Sequence, residues 1–426
     1  MTFPELYLVT QTFPRPRVED VKAAVREELG KLQLQKKLRK GARVALTGGS
    51  RGINNIVLIT RTAVEYLKEL GFEPMLVAAM GSHGGGTAEG QREVLTSLGM
   101  TPEAIQAPVL TGAETVEVGK TASGLTAYIN KLVANVDGIV IINRVKIHTA
   151  LIGDMHSGMT KSCVVGLGGP AGAEQFHSLG VRELPACLRD IGAILIAKMP
   201  ILGGLSIIEN GYEETAHIVA VEPKDFIESD VELLRKANEL MPSLPADKLD
   251  LLIIEEIGKN YSGTGMDTNV VGRFRVQGEP EPEKPFIRRI VVLDISEASH
   301  GNANGVGLAD VVTDKLAGKI DLHNTYLNVM TTGFAQRGFL PLHFPTEQQA
   351  IEMAIRSAGV TNPDKLRLMI VPNTLHLKKL YASAALVPEL KQRSNVQVAA
   401  QPIALTFDRD KNMVPRLLER AGHASA

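Results

Sequence analysis

At 426 residues the chain is too long for one ordinary domain and too short for three, so two domains are expected. Its 44 % hydrophobic and 22 % charged residues exclude a disordered or fibrous protein. A net charge of −1 argues against a nucleic-acid or membrane-surface binder. No apolar run approaches the roughly 18 residues of a membrane helix. The N-terminal stretch MTFPELYLVTQTFPRPR lacks the apolar core of a signal peptide. Cys163 and Cys187 form no disulfide framework, and a reducing cytoplasm is the expected compartment.

In chain order, an extended lead-in precedes a charged helix near residues 18–38. RVALT (43–47) is a short apolar strand that runs into the glycine loop GGSRGINN and then a helix from Ile56 to Leu70. PMLVAAM (74–80) repeats the pattern, with the loop GSHGGGT and the helix AEGQREVLTSLG. Two such strand, glycine-loop, helix units point to a parallel sheet. Residues 115–129 read as a hairpin around Ala-Ser-Gly. GIVIINR (138–144) is a third buried strand, followed by a long loop with three histidines and a lysine. Helices are expected over 185–198 and 225–240, and the proline-containing stretch MPSLPADK (241–248) marks a boundary. A second series follows: DLLIIEEIG, RRIVVLDIS (288–296), helices near 308–317 and 347–358, and the strand LRLMIVP (366–372). The fold class is therefore α/β: an N-terminal domain over 1–245 and a smaller one over 246–426, each with a parallel-rich sheet. The last residues are free to pack back on the first domain. Ligands of open parallel sheets bind beyond the strand C-termini, where the loops after 47, 80 and 144 lie.

VALTGGSRGI resembles a dinucleotide-binding turn. However, Asn54 stands where that turn needs a small residue, and none of the seven tyrosines has a lysine four positions on. A nicotinamide-dependent oxidoreductase stays as the alternative reading, beside a carboxylate- or phosphate-binding protein without chemistry. GLGGPAG (166–172) reads as a loop, a helix start or a phosphate cradle.

The stretch 143–177 holds Lys146, His148, His156, Lys161 and His177 among glycines, and His83 lies at a neighbouring strand end. Imidazole suits both proton transfer near neutral pH and ligation of nickel, zinc or copper. The histidines are too widely spaced for a zinc finger or His-Glu-x-x-His pattern. On these residues the chain resembles the lactate racemase family that uses the nickel-pincer nucleotide, a pyridinium mononucleotide carrying nickel. The family's Ser-Gly-Gly-Arg-Lys is matched by Ser157-Gly158-Met159-Thr160-Lys161, and its histidine sixteen residues later by His177. Gly81-Ser82-His83 matches the family's Gly-Thr-His loop, and Ser50-Arg51-Gly52 its Thr-Arg-Pro loop.

The resemblance implies two α/β domains with the active site in a cleft between them. It makes Lys161 the covalent attachment point of the cofactor and His177 the nickel ligand. Ser157, Gly158, Gly168 and Gly169 become cofactor-binding residues. His83 and His148 become the paired acid/bases, with His156 competing for the second place, and Arg51 the clamp on the substrate carboxylate. Lys259 is the candidate for the family's second-domain lysine, while His300 has no role. The implied partners are a 2-hydroxy acid and the enzymes that build the cofactor. The sequence departs from the family at Gly84-Gly85, at Met159-Thr160 and in having no tryptophan, so the substrate's side chain stays open.

Overall fold

The computed structural model describes residues 1–151 and 153–418, and the chain divides into two compact units. One is Pro14–Met241; the other joins Met1–Phe13 to the segment from Pro242 onward. The first strand, β1 (Glu5–Gln11), pairs with strands of the later segment. An N-terminal domain beginning at residue 1 therefore has to give up its first strand. Leu6 and Val9 of β1 are fully buried, and the sheet that buries them comes from residues almost four hundred positions away.

The Pro14–Met241 unit contains β2 (Arg43–Gly48), β3 (Glu73–Ala78), β4 (Val109–Leu110), the hairpin β5 (Thr115–Lys120) and β6 (Thr126–Asn130), β7 (Gly138–Arg144), β8 (Ile201–Glu209) and β9 (Thr215–Val221). Six of them form one sheet in the order β4-β3-β2-β7-β8-β9, parallel except for β8 against β9. Its strands are apolar on both faces. Val44, Leu46, Leu76, Val140 and Ile142 face one core, with the helices Val21–Lys31 and Ile56–Glu69. Ala45, Val77, Ile139 and Ile141 face the other, with the hairpin and the helices Leu184–Lys198 and Phe226–Glu239. A two-residue alternation thus feeds two layers, which a buried parallel sheet requires. From β2 the chain moves outward through β3 to β4, and β7 lies on β2's other side. The strand order reverses between β2 and β7, and a crevice opens beyond their C-terminal ends at such a point.

The other unit has β10 (Lys248–Ile254), β11 (Phe286–Val292), β12 (Val311–Thr313), β13 (Leu342–Phe344), β14 (Leu368–Val371), β15 (Lys379–Ser383) and β16 (Val396–Val398). Its sheet runs β13-β12-β11-β10-β14-β15-β1-β16, with the first five strands parallel. The helix expected over 308–317 is instead β12 followed by the short helix Asp314–Gly318. Val311 and Val312 are β-branched and pair with Val291 and Val292, which outweighs their amphipathic spacing. Among the described residues no helix is long and apolar enough to cross a membrane.

Candidate functional site

The loops beyond β2 and β3 are tied together. Ser50 Oγ hydrogen-bonds His83 Nδ1, joining the residue before Arg51 to the candidate acid/base. Gly81 has φ 59° and donates its N–H to the Gly166 carbonyl at 3.1 Å. The loop carrying His83 therefore rests directly on the chain segment that carries Lys161.

β7 ends at Arg144, whose Nη1 meets Glu209 Oε2 at the end of β8 at 2.5 Å. Glu209 Oε1 also accepts the Asn54 N–H at 2.6 Å. Arg51 has no such partner among the described residues. Burial of its guanidinium and the like charge of Arg144 lower its pKa, although the residue as a whole is exposed.

The loop after β7 is cinched by side chains. Ser157 Oγ accepts the Lys146 N–H at 3.1 Å and donates to the Arg144 carbonyl at 3.4 Å. His148 Nδ1 accepts N–H bonds from Ala150 and Leu151 at 3.1 and 3.2 Å. The His148 N–H in turn donates to His156 Nδ1 at 3.1 Å. With Nδ1 accepting, each neutral ring carries its proton on Nε2. His156 is buried, and that burial, reinforced by the Lys161 charge and opposed by Asp154, pushes its pKa down to about 4.

From Met159 the chain becomes helical: Met159–Lys161, a π-turn over Ser162–Gly166, then Gly169–His177. On one straight α-helix the sixteen residues from Lys161 to His177 would span about 24 Å. The π-turn and Gly169, at φ 60°, interrupt that line. Burial and the Lys161 charge hold His177 down to about 4. Burial and the Arg51 charge hold Lys161 down to about 8. Such couplings fall off with distance, so Arg51, Lys161, His156 and His177 share one neighbourhood. The Lys161 amine makes no hydrogen bond or ion pair among the described residues.

The glycines of this stretch have packing reasons. A Cβ on Gly168 would lie 2.1 Å from the Val164 carbonyl oxygen, and one on Gly169 would lie 2.7 Å from Thr115 Cγ2. Lys259 belongs to the other unit, where its Nζ is held by the Gly263 carbonyl at 2.7 Å and by Asn328 Oδ1. His300 there sits exposed at φ 47°. Both cysteines are buried and unpaired; burial raises the Cys163 thiol steeply and Cys187 to about 11, so neither is a ready thiolate ligand. No group of three or more His, Cys, Asp or Glu side chains that could hold a metal ion is found among the described residues.

Sequence reasoning missed Asp230, which is fully buried and accepts the N–H groups of Met159 and Thr160 at 2.8 Å each. The signal was present: Phe226, Asp230, Leu233, Leu234 and Ala237 form the buried stripe of one helix, and Asp230 is a carboxylate in an apolar position.

Residues 8–186 match the family model for the lactate racemase N-terminal domain. Among solved structures, the lactate racemase apoprotein from Thermoanaerobacterium thermosaccharolyticum is similar in fold, with 12 % identity and a TM-score of 0.50. That match covers 87 % of this chain and 98 % of the other. A protein from Thermotoga maritima matches 66 % of this chain and 72 % of its own at 15 % identity, with a TM-score of 0.49. No curated protein matches the sequence.

Proposed function

We propose that this chain, which carries a lactate racemase N-terminal domain over residues 8–186, is a racemase or epimerase of a 2-hydroxy acid that works with a covalently held nickel-pincer nucleotide. One observation carries the reading: an amine without a partner, Lys161 at about 8, stands near an imidazole, His177 at about 4, that is neutral at physiological pH. A free amine is needed for acylation and a neutral imidazole for ligation, so the donor set fits the group. Lys161 would hold it covalently and His177 through nickel, while Ser157 and Gly158 shape the turn before Lys161. When bound, the group supplies a hydride acceptor at the substrate's α-carbon, which spares the site a poorly stabilised carbanion.

The remaining tasks fall to side chains. Arg51 clamps the substrate carboxylate and keeps the planar keto acid in place while its second face comes into reach. His83 holds or releases the proton at the hydroxyl oxygen of one enantiomer, and His148 does so for the other. His148 is the better second acid/base because His156 is more deeply buried and supports the His148 backbone. The enzymes that build the group are the partners this reading implies. The dinucleotide alternative fares worse: the Glu209 carboxylate already takes the Asn54 N–H at the start of the helix Ile56–Glu69, where a pyrophosphate would need a cationic or neutral cradle.

The test is a 2-hydroxy acid labelled with deuterium at the α-carbon, given to protein produced together with the cofactor-building enzymes. Product of inverted configuration that keeps its deuterium supports the reading. Wash-out into solvent contradicts it.

A further inference from the structure

The short turn before Lys161 is enclosed on three sides, and on each side a side chain is missing. A Cβ on Gly158 would lie 2.1 Å from Asp230 Oδ1, one on Gly192 would lie 2.5 Å from Thr160 Cγ2, and one on Gly204 would lie 2.4 Å from Met159 Sδ. Met159 and Thr160 are themselves fully buried. Beneath them sits Asp230, reached from 70 residues downstream, with one carboxylate oxygen on each N–H.

This is an unusual way to start a helix. The ordinary solution is a Ser, Thr, Asp or Asn at the preceding position, bonding N–H groups two or three residues on. Here the preceding position is Gly158 at φ 121°, a conformation that favours glycine, and the cap comes from another helix. A buried carboxylate is costly to keep, and burial raises the Asp230 pKa to about 6 against the opposing pull of the Thr160 and Met159 bonds. An apolar residue would fill the Phe226–Glu239 stripe without that cost. What the carboxylate adds is orientation. Two fixed amides define the backbone direction at the next residue, and that residue is Lys161.

We infer that Asp230 is the positioning residue of the Lys161 amine. It acts through the Met159 and Thr160 peptide groups, and Gly158 is the gap that admits it. The inference rests on the proposed function for the importance of Lys161, but the amine's placement can be measured without any cofactor.

The experiment uses the unloaded full-length chain. Lys161 is trace-labelled with acetic anhydride across a pH series and quantified by peptide mapping. In the unaltered chain the Lys161 half-labelling pH lies near 8, below the ordinary lysine value of 10.5. Asp230→Ala raises it by about one unit or more, and Asp230→Asn, which keeps one acceptor, raises it by less. Leu67→Val, in the core on the other face of the sheet, leaves it within about 0.3 unit at matched loss of stability. If Asp230→Ala does not fold, the Asn variant decides. Variants that fold and label like the unaltered chain overturn the inference, as does a Lys161 that half-labels at the ordinary lysine value of 10.5 in the unaltered chain. A chain that never acquires the cofactor sinks the proposed function and leaves this result untouched.

Discussion

The strand ends of the two units treat charge in opposite ways. Beyond β10 and β11, charges find partners within the chain. Asp294 is paired with Lys315 and Lys319 at 2.6 and 2.7 Å, and Glu255 takes the N–H groups of Leu417 and Leu418. Lys259 Nζ is held by the Gly263 carbonyl and Asn328 Oδ1. Beyond β2 and β7, Arg144 is paired with Glu209, but Arg51 and Lys161 have no carboxylate partner among the described residues, and the Arg51 charge helps hold Lys161 down. Folding does not favour partly buried cations left without partners, so the arrangement points to an anion or an acyl group arriving from outside the chain. The comparison separates a region whose charges are matched on folding from one that, on the proposed function, is completed by what it binds.

The largest effect that would sharpen this contrast is on activity. Lys161→Met should lower turnover of the loaded enzyme by about a thousandfold or more, while raising the stability of the unloaded chain at pH 7 by about 2 kcal/mol in denaturant titration. A loss of stability would mean that the amine has a partner. Arg51→Gln should come next, lowering kcat/KM by about thirtyfold without changing cofactor content, as expected for one lost charge-assisted clamp. Lys259→Met supplies the counterpart. It should lower stability by about 1 kcal/mol, because two acceptors lose their donor. A gain there would erase the distinction between the two regions.

The smallest effect is on pH dependence. His156 and His177 both titrate near 4 in the fold, below their ordinary value of 6.5. Their depressed values mean that the neutral rings suit the fold above pH 6.5, and that stability drains away as pH falls through 6.5 towards 4. Asp230 has the opposite sign: its raised value costs stability above about 6 and spares it below about 4. Denaturant titrations from pH 7 to 4 should therefore show a shallower acid loss in His156→Gln and a steeper one in Asp230→Asn.

How much of this could be read from the sequence depended on distance along the chain. The strands RVALT, PMLVAAM and GIVIINR and the helix Leu184–Lys198 were legible, since hydrophobic period is a local property. The destination of β1 was not, because nothing in Glu5–Gln11 names a partner strand almost four hundred residues away. Val311–Thr313 misled because a three-residue strand followed by a short helix imitates one longer helix. In the site, Lys161 and His177 stood out through their spacing and the family resemblance. The reason for Gly158 did not, because the oxygen that fills its place belongs to Asp230.

The most direct test is an intact-mass measurement with peptide mapping on protein made beside the cofactor-building enzymes. The account predicts added mass on the peptide containing Lys161, its absence in Lys161→Met, and loss of nickel in His177→Ala. Active protein of unmodified mass, or an adduct on any other lysine, would contradict it.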